Sequence, residues 1–365
     1  MKFKKWLVKF EKYFLFLNFF FATLLLLSYL SAVISPGVFW PLAFLGLGYL
    51  ILLFINLFFV FYWAIRLKKH FALSSVSILL GYKVLLNTIG LNFFHATLPL
   101  LPNNGLKLMT YNVHTFQSIN NFPAYKPILK IVKLSQPDII GFEEFYTQHS
   151  RFGICDSIKD VLHSNHFYFE PFKKSTVDST GLALFSKYPI VNRGTIKLSS
   201  DQNDNQGIYI DINYRSHIIR AYCFHLRSLE LDPVESYHLN EFSHKGVIGA
   251  SRLKEILKKL KLAFIIRGEQ VDLIKRQVAT CPYPYIIMGD FNDSPGSYAF
   301  NKMAAGMKNA FRERGVGLGK TYNGGFASFQ IDYILVSQQF HVFDYNVIHK
   351  AISDHYPVCS EVELN

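Results

Sequence analysis

Two apolar runs without a charge, residues 14–34 and 41–65, constrain this chain more than any other feature. Each reaches or exceeds the roughly 20 residues a helix needs to cross a hydrocarbon core. A third stretch, 71–94, is also apolar but contains Lys83 and several Ser and Asn. It reads as a third span, with an interfacial or domain-capping helix as the alternative. The first run is too long, and too closely followed by the second, for a cleaved signal peptide. The pattern predicts a membrane anchor over 1–99 with two or three transmembrane helices.

Charge placement orients that anchor. Residues 1–99 hold nine of the 38 Lys and Arg and one of the 26 acids, so about +8 of the +12 net charge lies there. Five Lys precede the first run, the linker 35–40 has none, and Arg66, Lys68 and Lys69 follow the second. Basic flanks stay in the cytoplasm, so the N-terminus is expected inside and the linker outside. Three spans then carry residues 100–365 to the periplasmic or extracellular face, which is the expectation; two spans would leave them in the cytoplasm. Because the basic excess flanks the spans, the high pI is weak evidence for a nucleic-acid surface on the remainder. Cys155, Cys223, Cys281 and Cys359 form no CxxC pair, and no disulfide is indicated.

A Pro/Asn/Gly-rich linker over 98–105 predicts a domain boundary, with residues 100–365 as the second domain. There, short β-type runs alternate with helix-type segments. Strands are expected over 106–112, 139–142, 182–185, 208–212, 218–224, 285–288, 331–336 and 357–362, and helices over 125–135 and 251–278. The second helix sets Leu253, Ile256, Leu257, Leu260 and Phe264 against a Lys-rich face. No internal repeat is present. The alternation implies an α/β domain with a mixed or largely antiparallel sheet.

Chemistry-bearing residues recur at the ends of these strands. Asn112 closes one, Glu143 and Glu144 another, and His225 a third. Gly289-Asp290-Phe291-Asn292 follows an apolar run and projects a carboxylate and an amide from one turn. Asp332 sits in an apolar strand, where an isolated carboxylate is costly without a partner. His355, after Asp354, is the natural partner, because a carboxylate on one imidazole nitrogen fixes the tautomer and raises basicity at the other. Oxygen ligands, a base and neutral donors are the inventory of a metal-assisted attack on a phosphate ester.

Together and in this order, these segments resemble the endonuclease/exonuclease/phosphatase superfamily, over roughly 105–363. Thr110-Tyr111-Asn112, Glu143-Glu144, the strand from Gly181 to Ile190, His225-Leu226, Asp290/Asn292, Asp332 and Asp354/His355 carry the resemblance. Glu143 stands where the family usually has Gln, Phe224 replaces a Thr, and Gln330 stands where many relatives have Arg. The resemblance implies a DNase I-like four-layer α/β sandwich of two mixed β-sheets flanked by helices. It also implies a divalent-metal-dependent phosphoester hydrolase of the phosphodiesterase or endonuclease type, with Mg²⁺ or Mn²⁺ held by Asn112, Glu144 and Asp354. His225, Asp290, Asn292, Asp332 and His355 would be catalytic, with His355 as the base and Asp290 as the rival base. A lipid-headgroup phosphodiesterase or a phosphomonoesterase is the alternative. The implied partners are a phosphoester of nucleic acid or lipid and the membrane; no protein partner is implied.

Overall fold

The computed structural model describes residues 2–93, 105–118, 122–148, 153–198, 206–229, 249–324 and 330–365. The linker over 98–105, apart from Gly105, lies outside them, as does the end of the third apolar stretch at Phe94.

The chain begins with helix α1 (Lys2–Leu30), followed by α2 (Pro36–Phe39), α3 (Pro41–Leu47), α4 (Tyr49–Ile65), α5 (Phe71–Leu80) and α6 (Tyr82–Thr88). Within α1, Lys9–Leu30 is long and apolar enough to cross a membrane. The second and third apolar stretches are bent pairs, α3 with α4 at 63° and α5 with α6 at 73°. The polar residues that weaken the third stretch point inward. Asn18 Nδ2 donates to Ser74 Oγ (2.6 Å), Ser74 Oγ to Asn56 Oδ1 (2.7 Å) and Trp63 Nε1 to Asn18 Oδ1 (3.0 Å), which ties α1, α4 and α5 together. Such bonds join helices where apolar burial does not distinguish protein from lipid.

The two ends of this bundle differ. At one, Glu11 pairs with Arg66 (2.8 Å) and Lys68 (3.4 Å). At the other, Ser31 Oγ donates to the Gly296 carbonyl (2.6 Å), and strand β1 (Gly90–Leu91) pairs with β11 (Val316–Gly317). The remainder of the chain therefore packs at the end away from the basic flanks.

That remainder holds two six-stranded sheets. One contains β2 (Leu106–Asn112), β3 (Ile139–Gln148), β4 (His166–Lys174), β5 (Asp178–Ser186), β13 (Phe340–Val347) and β14 (Val358–Leu364), in the order β13-β14-β2-β3-β5-β4. The other contains β6 (Ile190–Lys197), β7 (Gln206–Tyr214), β8 (His217–His225), β9 (Tyr285–Asp290), β10 (Lys308–Asn309) and β12 (Asp332–Val336), in the order β10-β12-β9-β8-β7-β6. Each is mixed, with β2/β3 and β8/β9 parallel and the other pairs antiparallel.

Strand alternation builds the layers. Leu106, Leu108, Leu182 and Leu184 of the first sheet meet Ile208, Ile210, Ile286 and Ile334 of the second in one core between the sheets. The intervening residues face outward: Met109, Tyr111, Ile140 and Phe142 pack under α7 (Tyr125–Ser135) and α8 (Ile154–Leu162). Tyr222, Ile287, Tyr333 and Leu335 pack under α9 (Ala250–Val278) and α10 (Tyr298–Ala304). Both faces of each sheet are thus covered, which gives the four-layer sandwich expected from the resemblance. The cysteines are free.

Candidate active site

The parallel pairs β2/β3 and β8/β9 run toward the same side of the sandwich, where Asn112, His225 and Asp290 close their strands and Glu144 sits within β3. Register sets His225 beside Asp290, and Asp290 beside Asp332. The matching end of the other sheet contributes Asn112 and Glu144. All eight residues singled out in the sequence lie at this end: Asn112, Glu144, His225, Asp290, Asn292, Asp332, Asp354 and His355.

A register shift in β3 between Phe142 and Phe145 explains how two consecutive glutamates separate. Glu144 adopts φ +52, a left-handed conformation that costs a non-glycine residue about 1–3 kcal/mol. It turns its carboxylate toward the mouth, while Glu143 stays fully buried behind it. Glu143 Oε1 accepts from Thr110 Oγ1 (2.7 Å) and Cys223 Sγ (3.0 Å), and Oε2 has no hydrogen-bond partner among the described residues. Burial, with only partial relief from those two donors, pushes its carboxyl up to about 8. Glu143 is thus a neutral acid bridging the two sheets beneath the site.

Asn112 clamps the two carboxylates above it. Its Nδ2 donates to Glu144 Oε1 (3.2 Å) and Asp290 Oδ2 (3.0 Å), and its Oδ1 accepts from the His114 amide (3.0 Å). His225 Nε2 lies 3.8 Å from Glu144 Oε1 and 3.7 Å from Asp290 Oδ2. His355 Nδ1 stands 3.0 Å from each oxygen of Asp332, so this nitrogen carries the hydrogen, and Nε2 points to Asp290 Oδ2 at 3.7 Å. Burial opposes charge on His355, but Asp332 and Asp290 outweigh it and raise its proton affinity well above the usual imidazole range. Burial likewise raises Asp290, against the pull of His355.

The turn after Asp290 is held from several sides. Asn292 has φ +53; its amide donates to Asp290 Oδ1 (2.8 Å) and its Nδ2 to the Leu226 carbonyl (3.1 Å). Arg267 of α9, buried and paired with Asp293 (3.2 Å), donates to the Asn292 carbonyl. Ser353 Oγ lies 3.0 Å from both the Asn112 carbonyl and Asp354 Oδ1, and Tyr322 packs edge-on against His355. Sequence reading missed Arg267, Asp293, Tyr322 and Ser353. Only Arg267 offered a signal, as a charge on the apolar stripe of the helix three residues after Phe264 and four before Val271. Gln330 is buried with its Nε2 3.4 Å from Tyr345 Oη, away from the mouth.

Asp290, Asp332 and His355 offer three ligand-type atoms within 4.8 Å of one another. Asp332 already gives both oxygens to His355. Glu144 and Asp354 are more open, with side chains 28% and 24% exposed, and they are hard oxygen donors suited to a partly hydrated divalent cation.

The endonuclease/exonuclease/phosphatase family model matches residues 109–355, and a model described as a domain of unknown function (DUF8431) matches residues 11–88. No curated protein matches the chain. Solved structures that share the fold include these three. An endonuclease/exonuclease/phosphatase family protein from Leptotrichia buccalis is 16% identical, with a TM-score of 0.52 over 71% of this chain and 100% of its own. A mannosyl-6-phosphatase from Bacteroides thetaiotaomicron is 16% identical, with a TM-score of 0.50 over 71% and 100%. A humanized D. rerio TDP2 is 12% identical, with a TM-score of 0.50 over 72% and 100%.

Proposed function

We propose a reaction from one premise: this chain belongs to the endonuclease/exonuclease/phosphatase family and is a phosphoester hydrolase. The reaction is hydrolysis of a phosphoester by in-line attack of water, and the observation that carries it is the convergence of Glu144, Asp290, His225 and the Asp332–His355 pair at one end of the sandwich. Glu144 and Asp354, with Asn112 beside them, would hold Mg²⁺ or Mn²⁺. Bound there, the cation supplies charge neutralisation on the phosphoryl oxygens.

Either His355 or Asp290 could take the proton from water on sequence grounds. The raised proton affinity of His355 favours Asp290 as the base. His355, held charged by Asp332, then donates from Nε2 to a phosphoryl oxygen, and His225 donates to the leaving oxygen or protonates it. Asn292 contributes its second amide hydrogen, the first being bonded to Leu226.

Membrane anchoring on the outer face is part of the reading. It is supported by the position of the catalytic part at the end of the bundle away from Arg66, Lys68 and the N-terminal lysines. A lipid headgroup as substrate is favoured over nucleic acid by one observation: the rim turn 291–297 touches the anchor through Gly296, which approaches Ser31 and Gly46. The test is hydrolysis by the purified full chain of DNA, RNA, sphingomyelin and a chromogenic bis-phosphodiester, with Mg²⁺, Mn²⁺ or EDTA. EDTA-sensitive cleavage is expected; activity on none of them in either metal overturns the reading.

A further inference from the structure

Helix α9 is longer than the sheet it covers. Its C-terminal half packs there through Val271, Ile274 and Val278. Arg267 and Gln270 mark the active-site end, where they bond the Asn292 carbonyl and the Arg227 amide. The residues before them, about 25 Å of helix at 1.5 Å per residue, extend past that end.

The projection has an apolar stripe. Leu253, Leu257, Leu260 and Phe264 recur at helical spacing on one face. At one end of the stripe, Phe264 is buried edge-on against Phe44 of α3, with ring centroids 5.3 Å apart. Toward the helix start the stripe is only partly covered: Leu253 and Leu257 are each 41% exposed, whereas Ile256 beside them is buried. Since they share a face with Phe264, they face the side from which the anchor's elbow, α2 and α3, approaches. Lysines border the stripe: Lys254 and Lys258 are exposed, and Lys261 stands 4.7 Å over the Trp40 ring. Residues 250–262 carry five basic residues and one acid, a net +4 that equals the whole net charge of residues 100–365.

We propose that the N-terminal half of α9 is a second membrane contact, lying in an anionic headgroup layer with Leu253 and Leu257 at the acyl boundary and Lys254 and Lys258 among the phosphates. The proposal rests on the anchoring reading above. Two observations choose lipid as the occupant. The basic border complements anionic headgroups, each nearby lysine adding attraction. The stripe is also continuous with the anchor itself, where Val38, Phe39 and Trp40 are exposed beside Lys261. The same helix fixes the active-site turns through Arg267 and Gln270, so its docking sets the direction in which the mouth faces the bilayer.

Hydrogen exchange of the full chain in nanodiscs tests this, using phosphatidylcholine alone or mixed with phosphatidylglycerol. Amides of 250–262 are expected to exchange roughly tenfold more slowly in the anionic discs. Lys254→Glu/Lys258→Glu should abolish that difference, and Leu253→Asp/Leu257→Asp should remove protection in both discs. Hydrolysis of a soluble phosphodiester serves as the check that each variant is folded. Protection that ignores headgroup charge and both double substitutions overturns the proposal. A chain that the discs do not retain overturns the anchoring reading and the proposal together; a retained chain with indifferent exchange overturns the proposal alone.

Discussion

Single side chains divide the labour of this site by burial. Glu144 opens to the mouth and Glu143 does not, so the two glutamates call for opposite substitutions. Glu144→Gln removes a charge that an amide does not replace, and kcat/KM at limiting Mg²⁺ is expected to fall by at least about a hundredfold with the fold retained. Full activity at low Mg²⁺ would take Glu144 out of the metal site. Glu143→Gln keeps an acceptor for Thr110 and Cys223 and removes a carboxyl raised to about 8. A raised acid stabilises the fold most below its unfolded value, and that contribution is lost as pH rises through the folded one. In EDTA, wild-type stability should therefore decline from about pH 5 to about pH 8, and the Gln variant should lose part of that slope, gaining about 2–4 kcal/mol at the upper end. Parallel thermal midpoints for the two proteins across this window would show that Glu143 titrates normally. Asp332 and His355 should behave as one unit, since both oxygens of Asp332 lie 3.0 Å from one imidazole nitrogen. His355→Ala is expected to cost about 10³-fold in the chemical step, Asp332→Ala somewhat less, and the double variant little more than His355→Ala. Single-turnover losses that multiply would separate them.

At the scale of elements, what was legible in the sequence is what alternation or periodicity announces. The central strands β2, β3, β5, β7, β8, β9, β12 and β14 read as apolar runs because both their faces are covered, and α7 and α9 read by helical spacing. Six of the fourteen strands among the described residues were not legible, and of these β1, β10 and β11 are only two residues long. Strands β4 and β6 are edge strands that lack a regular buried alternation, and β13 is broken by a bulge between Val342 and Asp344. The eight candidate residues could be picked out because each lies in or close to a strand beside an apolar run. Tyr322, Ser353 and the Arg267–Asp293 pair were not, because their roles arise from loops and a helix meeting across long sequence distances. The third apolar stretch was ambiguous for a related reason: hydropathy counts Ser74 and Ser77 against it, whereas both are buried in the bundle. Asn56→Leu tests that packing. It leaves Ser74 without its acceptor, and the attachment of α5 should weaken by about 1–2 kcal/mol, read as faster amide exchange over 71–80 in nanodiscs. Unchanged exchange there would mean that the network does not hold α5.

For the molecule as a whole, the proposed side of the membrane rests on which ends meet. Helix α1 runs from its lysines to Ser31 at the catalytic part, and α3 with α4 leads back to Arg66 and Lys68, where Glu11 pairs with both. From there α5 and α6 lead again to the catalytic part, where Gly90 pairs with Gly317. On the proposed anchoring this route makes three passes, and a basic end held in the cytoplasm would send residues 105–365 to the outer face. Each bent pair must then count as one pass, the bends of 63° and 73° being taken up at Gly48 and Gly81 between the paired helices. A reporter fused after Asn365 that is active only outside the cytoplasm should be active, and one active only inside should be silent. Replacing Arg66, Lys68 and Lys69 with neutral residues removes one of the two basic clusters at that end and should reduce the outward signal without abolishing it, because five lysines still precede the first span. A cytoplasmic signal from the unaltered chain would overturn this orientation. The contacts of Ser31 and Gly90 with the catalytic part would then need the bundle to enter the bilayer in the opposite sense, with its basic residues outside.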